Sequence, residues 1–214
     1  RAIIFPFKMN SSSAKDLARG LGAKRVFSDG KYRPKDNDLI VNWGNSKNPR
    51  WIGKKILNLP QFVKSAINKL ETFKLLKIAG VPTVEFTTDR EVAKNWEQVI
   101  IRNKVNGTCA EGIDLWSMGD TELPPAPLYT KYIEPDREYR VHVFNGKVID
   151  YVLKRKLYGI MPSPIRNHDN GYIFSRNYRN RNKLIEETSI NAIKALGLDF
   201  GAVDILANPT DTTL

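Results

Sequence analysis

Residues Glu138–Lys156 read EYRVHVFNGKVIDYVLKRK. Glu138, Arg140 and His142 alternate with Tyr139, Val141 and Val143, the period-two pattern of a strand with one polar and one apolar face. Asn145-Gly146 follows, a pair that suits the two positive φ angles of a tight type I′ turn. Lys147–Lys156 then returns as a second strand, so the stretch is a β-hairpin over Glu138–Phe144 and Lys147–Lys156. Its polar face carries a carboxylate and a guanidinium two residues apart, a pair able to bond a ribose hydroxyl and a phosphate. A sheet solvated on one side shows the same alternation, and His142 reads as a structural histidine.

Outward from the hairpin toward the C-terminus, residues 157–182 are poor in apolar positions and rich in Asn, Arg and Pro, and read as long loops. Lys183–Leu196 has the spacing of an amphipathic helix, closed by Gly197. Phe200–Leu206, FGAVDIL, reads as a buried strand with Asp204 inside it. A lone buried carboxylate is costly unless it is paired or binds a metal. Metal binding and a structural ion pair are the two readings of Asp204.

Toward the N-terminus, Val99–Arg102 and Ile113–Trp116 read as a hairpin around the loop Asn106–Gly112, NGTCAEG, and Leu128–Ile133 as a further strand. Backbone N–H groups of such a small-residue loop can close over phosphates, although an ordinary surface loop has the same composition. A strong helix is expected around residues 60–80, with Asn68 and Glu71 as a capping box and Gly80 then Pro82 at its end. Lys69 would lie in its first turn. A cation opposes the helix dipole there unless an anion shares the free N–H groups. Ala2–Phe5, Val26–Phe27 and Asp38–Trp43 read as strands, and the Ser11–Ser13 cluster as the cap of a helix ending at Gly22. Strand, helix and strand in alternation predict a small α/β layer with parallel strands.

Composition bounds the function classes. At 214 residues and 41% apolar content the chain can bury one large core or two small ones. No apolar run approaches the roughly 20 residues needed to span a bilayer. The start, RAIIFPFK, lacks a cleavage pattern. The single cysteine, Cys109, excludes an internal disulfide framework and fits a reducing cytoplasm. Two histidines and one cysteine far apart argue against zinc. The formal charge of +11 is compatible with ATP, an acidic peptide, nucleic acid, an anionic membrane or ordinary solubility. Most of it lies between Lys154 and Lys183, where eight cations and one anion, Asp169, give +7, interleaved with Tyr158, Tyr172, Phe174 and Tyr178. Basic residues with aromatics suit a polyanionic macromolecular acceptor. There is neither a G-x-x-x-x-G-K-[ST] loop nor a G-x-G-x-x-G after a strand, and no nucleic-acid-binding signature.

Five stretches, in order, resemble the ATP-grasp superfamily over nearly the whole chain. IIFPF and VNWG resemble its N-terminal layer, INKLETFKLLKIAGVPTVEF its linker helix, VIIRNKVNGTCAEGI its strand and phosphate loop, LYTKYIEPDREYRVHVF its hinge strand, and LGLDFGAVDIL the helix and strand with the first magnesium carboxylate. VNWG, EYRVHVF and LDFGAVDIL look most like carboxylate–amine ligases encoded by bacteriophages. The resemblance implies an α/β ATP-grasp fold. Residues 1–66 would be a pre-ATP-grasp layer and residues 67–214 the ATP-grasp domain. That domain would comprise a linker helix at 68–80, a phosphate-loop subdomain at about 81–130 and an incomplete C-terminal subdomain at about 131–214.

The resemblance also implies ATP and magnesium as cofactors, and a cytoplasmic enzyme, in the host cytoplasm if phage-encoded. Lys69 and Arg102, with Gly107 and Thr108, would contact phosphates. Lys131 and Ile133 would lie along adenine, and Glu138 would hold ribose. Arg140, Lys154 and Asn167 would face the transferred phosphoryl group or the acyl phosphate, and Asp204 would bind magnesium. Arg102 stands where many members have lysine, which keeps the charge and adds donors. The next strand of the family carries Glu-x-Asn, so the chain is expected to continue beyond Leu214, with Asn208 too close to Asp204 to replace those ligands. The alternative is a catalytically degenerate ATP-binding or nucleic-acid-binding protein.

Overall fold

The computed structural model describes residues 1–27, 32–49, 51, 54–106, 111–161, 163, 166–176 and 181–208. They form a mixed α/β fold with three four-stranded sheets. The first is the expected parallel layer: β1 (Ala2–Pro6) lies between β2 (Lys24–Arg25) and β3 (Leu39–Trp43), and β3 pairs with β4 (Ile56–Leu57). Both faces of β1 are buried, Ile3 and Phe5 on one and Ile4 against Ala14 and Ala18 of α1 (Ser12–Gly20) on the other. Ser11 caps α1 by accepting from the Ala14 N–H at 3.3 Å. The strand expected at Val26–Phe27 is displaced two residues toward the N-terminus. Register sets Ile3 against Lys24, and Val26 keeps one bond to Ile4 O.

The single helix expected around 60–80 is two, α2 (Pro60–Ile67) and α3 (Lys69–Ile78). Asn68 has extended backbone, ends α2 and caps α3, its Oδ1 accepting from Glu71 N at 3.1 Å. The Glu71 carboxylate pairs with Lys74. The second sheet is antiparallel, β5 (Phe86–Thr87), β8 (Leu128–Lys131), β6 (Gln98–Arg102) and β7 (Ile113–Ser117) in that order, with α4 (Arg90–Ala93) beside it. β8 stops at Lys131, short of the expected Ile133. The loop residues Gly107 and Thr108 lie outside the described residues.

The third sheet carries the site. Its order is β11 (Tyr172–Arg176), β10 (Lys147–Lys156), β9 (Arg137–Phe144), β12 (Phe200–Ala207), all antiparallel. Asn145 and Gly146 have φ of 47° and 69°, as the tight hairpin turn requires. The loop expected over 157–182 contains β11, whose five residues are drawn into the sheet by pairing with β10. Tyr139, Val141, Val143 and Tyr151 pack on Ile185 and Ile193 of α5 (Lys183–Ala195), with Val203 and Ile205 of β12. Gly201 permits the close approach of β12, since a Cβ there would stand 2.6 Å from Ile193 Cδ1. β12 is not the buried strand of the sequence reading: Ala202 and Asp204 are exposed on the face away from α5.

Asn58 joins the first layer to this sheet. It is buried, with φ of 60°. Its N–H donates to Asp199 Oδ2 at 2.6 Å, its Oδ1 accepts from Asp199 N and Phe200 N at 2.7 and 3.1 Å, and its Nδ2 donates to Phe200 O at 2.9 Å. Its carbonyl accepts from Asn42 Nδ2 at 2.7 Å. Trp43 stacks on Phe200 with centroids 5.7 Å apart. The start of β12 is thereby pinned to the parallel layer.

Candidate active site

Because α5 takes the apolar face of the third sheet, the alternating polar residues face the other way. Register then decides which of them meet: Arg140 is opposite Asp204, and Glu138 is opposite Lys154. Arg140 grips Asp204 in a fork, Nε to Oδ1 and Nη2 to Oδ2, both 2.8 Å. Lys154 Nζ stands 3.3 Å from Asp204 Oδ2 and is hydrogen-bonded to Glu138 Oε1. Arg166 Nε stands 3.9 Å from Glu138 Oε2, and its Nη2 donates to Pro135 O at 2.9 Å. The result is a chain of alternating charge, Arg166–Glu138–Lys154–Asp204–Arg140. Arg140 also lies over the Phe174 ring at 5.2 Å.

Asp204 is therefore neither lone nor fully buried; its side chain is 41% exposed and already paired. Of the two readings of this residue, the ion pair is present in the structure. Partial burial pushes its carboxyl up, but the Arg140 bonds and the Lys154 charge outweigh that and hold it below the ordinary range. The Asp204 bonds raise the Arg140 guanidinium. Burial pushes His142 down, against the pull of Asp150.

Two cations from other elements face this charge chain. Burial and the neighbouring Arg102 push the Lys69 ammonium down; Asp204 raises it and Arg140 lowers it again, so the four share one electrostatic field. Burial also lowers the Arg102 guanidinium. Its Nε is buried without a hydrogen-bond partner, while the group lies over the Phe73 ring at 5.9 Å, and Phe73 in turn stacks on Phe86. Lys69 has no ion pair among the described residues. Its own N–H donates to Val105 O at 2.8 Å, which ties α3 to the end of the β6 hairpin. That bond and the Asn68 cap use N–H groups that the sequence reading offered to an anion, so Lys69 would act through its ammonium.

Direct contacts join Glu138, Arg140, Lys154 and Asp204, and Lys69 lies within electrostatic reach of Asp204, Arg140 and Arg102. The structure uses Asn167 elsewhere: its Oδ1 caps a turn by accepting from Asn170 N at 2.9 Å. Lys131 is paired with Glu85 at 2.6 Å, and Ile133 is partly exposed on the connection between the second and third sheets. Glu138 is 10% exposed and shared by two cations, so it is not a free ribose ligand in this arrangement. Arg166 is the residue that sequence reasoning missed; it reaches the site only through the turn that precedes β11.

The donor set fits a polyphosphate: five cations face two carboxylates, and Arg102 offers a buried donor without an acceptor. It does not fit magnesium as it stands. No cluster of three metal-ligating side chains occurs among the described residues. Both Asp204 oxygens are already bonded, and Asn208 Oδ1 accepts from Asp136 N at 3.1 Å.

No family model matches the sequence, and no curated protein matches it. Solved structures do. ATP-grasp ligase PsnB complexed with its minimal precursor is similar at TM-score 0.68 and 14% identity, over 97% of this chain and 86% of that one. D-alanine–D-alanine ligase from Bacillus anthracis is similar at TM-score 0.68 and 14% identity, over 98% and 83%. A RimK domain ATP-grasp protein from Sphaerobacter thermophilus DSM 20745 is similar at TM-score 0.63 and 10% identity, over 98% and 87%. PsnB has also been solved with Mg and ADP, and the Bacillus anthracis ligase with ATP. These likenesses show the fold: the chain is an α/β protein with the ATP-grasp fold.

Proposed function

We propose that the chain is an ATP-dependent carboxylate–amine ligase. The observation that carries this reading is the convergence of Lys69, Arg102, Arg140 and Lys154, cations from four elements (α3, β6, β9 and β10), in an ATP-grasp fold. The substrate carboxylate attacks the γ-phosphorus of ATP and ADP leaves, giving an acyl phosphate. An amine then attacks the carbonyl carbon, the carbon–oxygen bond to phosphate breaks, and the amine nitrogen gives up a proton. The protein's part is to orient the reactants and to offset charge on the transferred group with the four cations, which costs no reorganisation when they are held by packing. No nucleophilic side chain is required.

Lys69 and Arg102 hold phosphates, with Gly107 and Thr108. Lys131 and Ile133 line the adenine side. Glu138 fixes Lys154, and through it the end of the nucleotide site. Arg140, held by Asp204, faces the transferred phosphoryl group. Asp204 holds Arg140 and Lys154 beside the nucleotide site. The test is chemical trapping: with ATP and a panel of carboxylates, hydroxylamine should convert the acyl phosphate to a hydroxamate. ADP release without any hydroxamate across the panel would count against it.

The second reading is a nucleotide-binding protein without turnover. It is favoured by the occupation of Asp204 by Arg140 and Lys154 and by the missing metal cluster among the described residues. It predicts ATP binding with no ADP formed.

A further inference from the structure

The +7 between Lys154 and Lys183 is distributed unevenly. Arg176 is paired with Asp150, Arg181 with Glu186, Lys183 with Glu187, and Lys154 with Glu138 and Asp204. Arg179 lies outside the described residues. The cations left without a carboxylate partner among the described residues are Arg155 and Lys156, at the end of β10.

Both line an open cleft of about 310 Å³, with Arg137, Lys154, Arg166 and Tyr172. Arg166 packs over the Tyr172 ring at 5.8 Å and is only 13% exposed, so one wall is fixed. Lys154 and Arg166 belong both to this cleft and to the charge chain of the candidate site. Beyond Lys156, the exposed side chains of Leu157, Tyr158, Ile160 and Met161 form an apolar ledge.

We propose that this cleft docks an acidic peptide. Carboxylate side chains meet Arg155 and Lys156, and the peptide's apolar residues meet the ledge. Glu134 and Asp136 also line the cleft and would repel a continuous run of phosphates, whereas a peptide can place carboxylates selectively. The ledge is mostly aliphatic, which suits side-chain packing better than base stacking. The position of the cleft beside Lys154 makes the docked peptide the macromolecular substrate; that role rests on the proposed ligase function, whereas the docking does not.

The test is anisotropy of fluorescein-labelled hexaglutamate on the whole chain, with hexaglutamine and a thymidine hexanucleotide as comparators. Hexaglutamate should bind, more weakly as salt rises, and hexaglutamine should not. Arg155→Ala with Lys156→Ala should raise its Kd about fivefold, the scale of two exposed ionic contacts. Arg155→Lys with Lys156→Arg should retain it. Neither pair should change the affinity for an ATP analogue. Loss of ATP-analogue binding in the wild type, with hexaglutamate still dependent on Arg155 and Lys156, would end the ligase reading and leave the docking site standing. Hexaglutamate binding indifferent to the double alanine variant, or preference for the oligonucleotide, would overturn the proposal.

Discussion

Asp204 receives a bidentate bond from Arg140 and a contact from Lys154, and these define what the residue does in the structure at rest. Asp204→Asn keeps the size and removes the charge. Turnover of ATP should be lost, since the charge arrangement at the transferred group is broken. Nucleotide affinity should change by less than about tenfold, because Arg140 and Lys154 are released to meet phosphate. Parallel calorimetry and ADP-release assays measure both; normal turnover would reduce Asp204 to a structural partner. Lys69→Ala and Arg102→Ala should each weaken nucleotide binding by about 1–3 kcal/mol, the value of a charge-assisted bond. Unchanged affinity in both folded variants would remove their phosphate role. The alternation of Glu138, Arg140 and His142 made the polar face legible from sequence. The partners were not legible, because whether Arg140 meets Asp204 depends on register between strands 64 residues apart.

At the scale of elements, β12 is set by Asn58 and by Gly201. Asn58→Ala deletes the side-chain bonds to Asp199 and Phe200 and strains a residue at positive φ. It should destabilise the protein by about 2–4 kcal/mol in urea unfolding. A loss below about 0.5 kcal/mol would mean that the two layers do not depend on this clasp. The sequence hid this clasp, since its partners lie 141 and 142 residues apart. β11 was hidden for a related reason: YIFSR is short and flanked by Gly171 and Asn177, and it becomes a strand by pairing with β10. The basic stretch was overcounted because its counter-ions, Glu138, Asp150, Glu186 and Glu187, lie outside it. The parallel layer, the Asn-Gly hairpin and α5 were legible because local period and turn chemistry suffice for them.

For the whole molecule, acid stability has an identifiable contributor in the first layer. The Lys35 N–H and the Tyr32 hydroxyl hold the buried Asp38 carboxyl down to about 2 against the cost of burial, with help from Arg1. A carboxyl depressed in the folded state stabilises above its unfolded pKa and loses that contribution as pH falls through the folded value. Thermal stability should therefore decline from about pH 4 toward pH 2, and Asp38→Asn should flatten that limb. An identical acid limb in the variant would assign the decline to other groups. The fold as a whole brings α3, β6 and the third sheet around one excess of cations, and that convergence is the basis of the functional reading. Calorimetric titration of the intact chain with a non-hydrolysable ATP analogue tests it most directly. Saturable binding that Lys69→Ala weakens is expected; folded protein giving no binding heat at any analogue concentration would overturn the assignment of a nucleotide site to these cations.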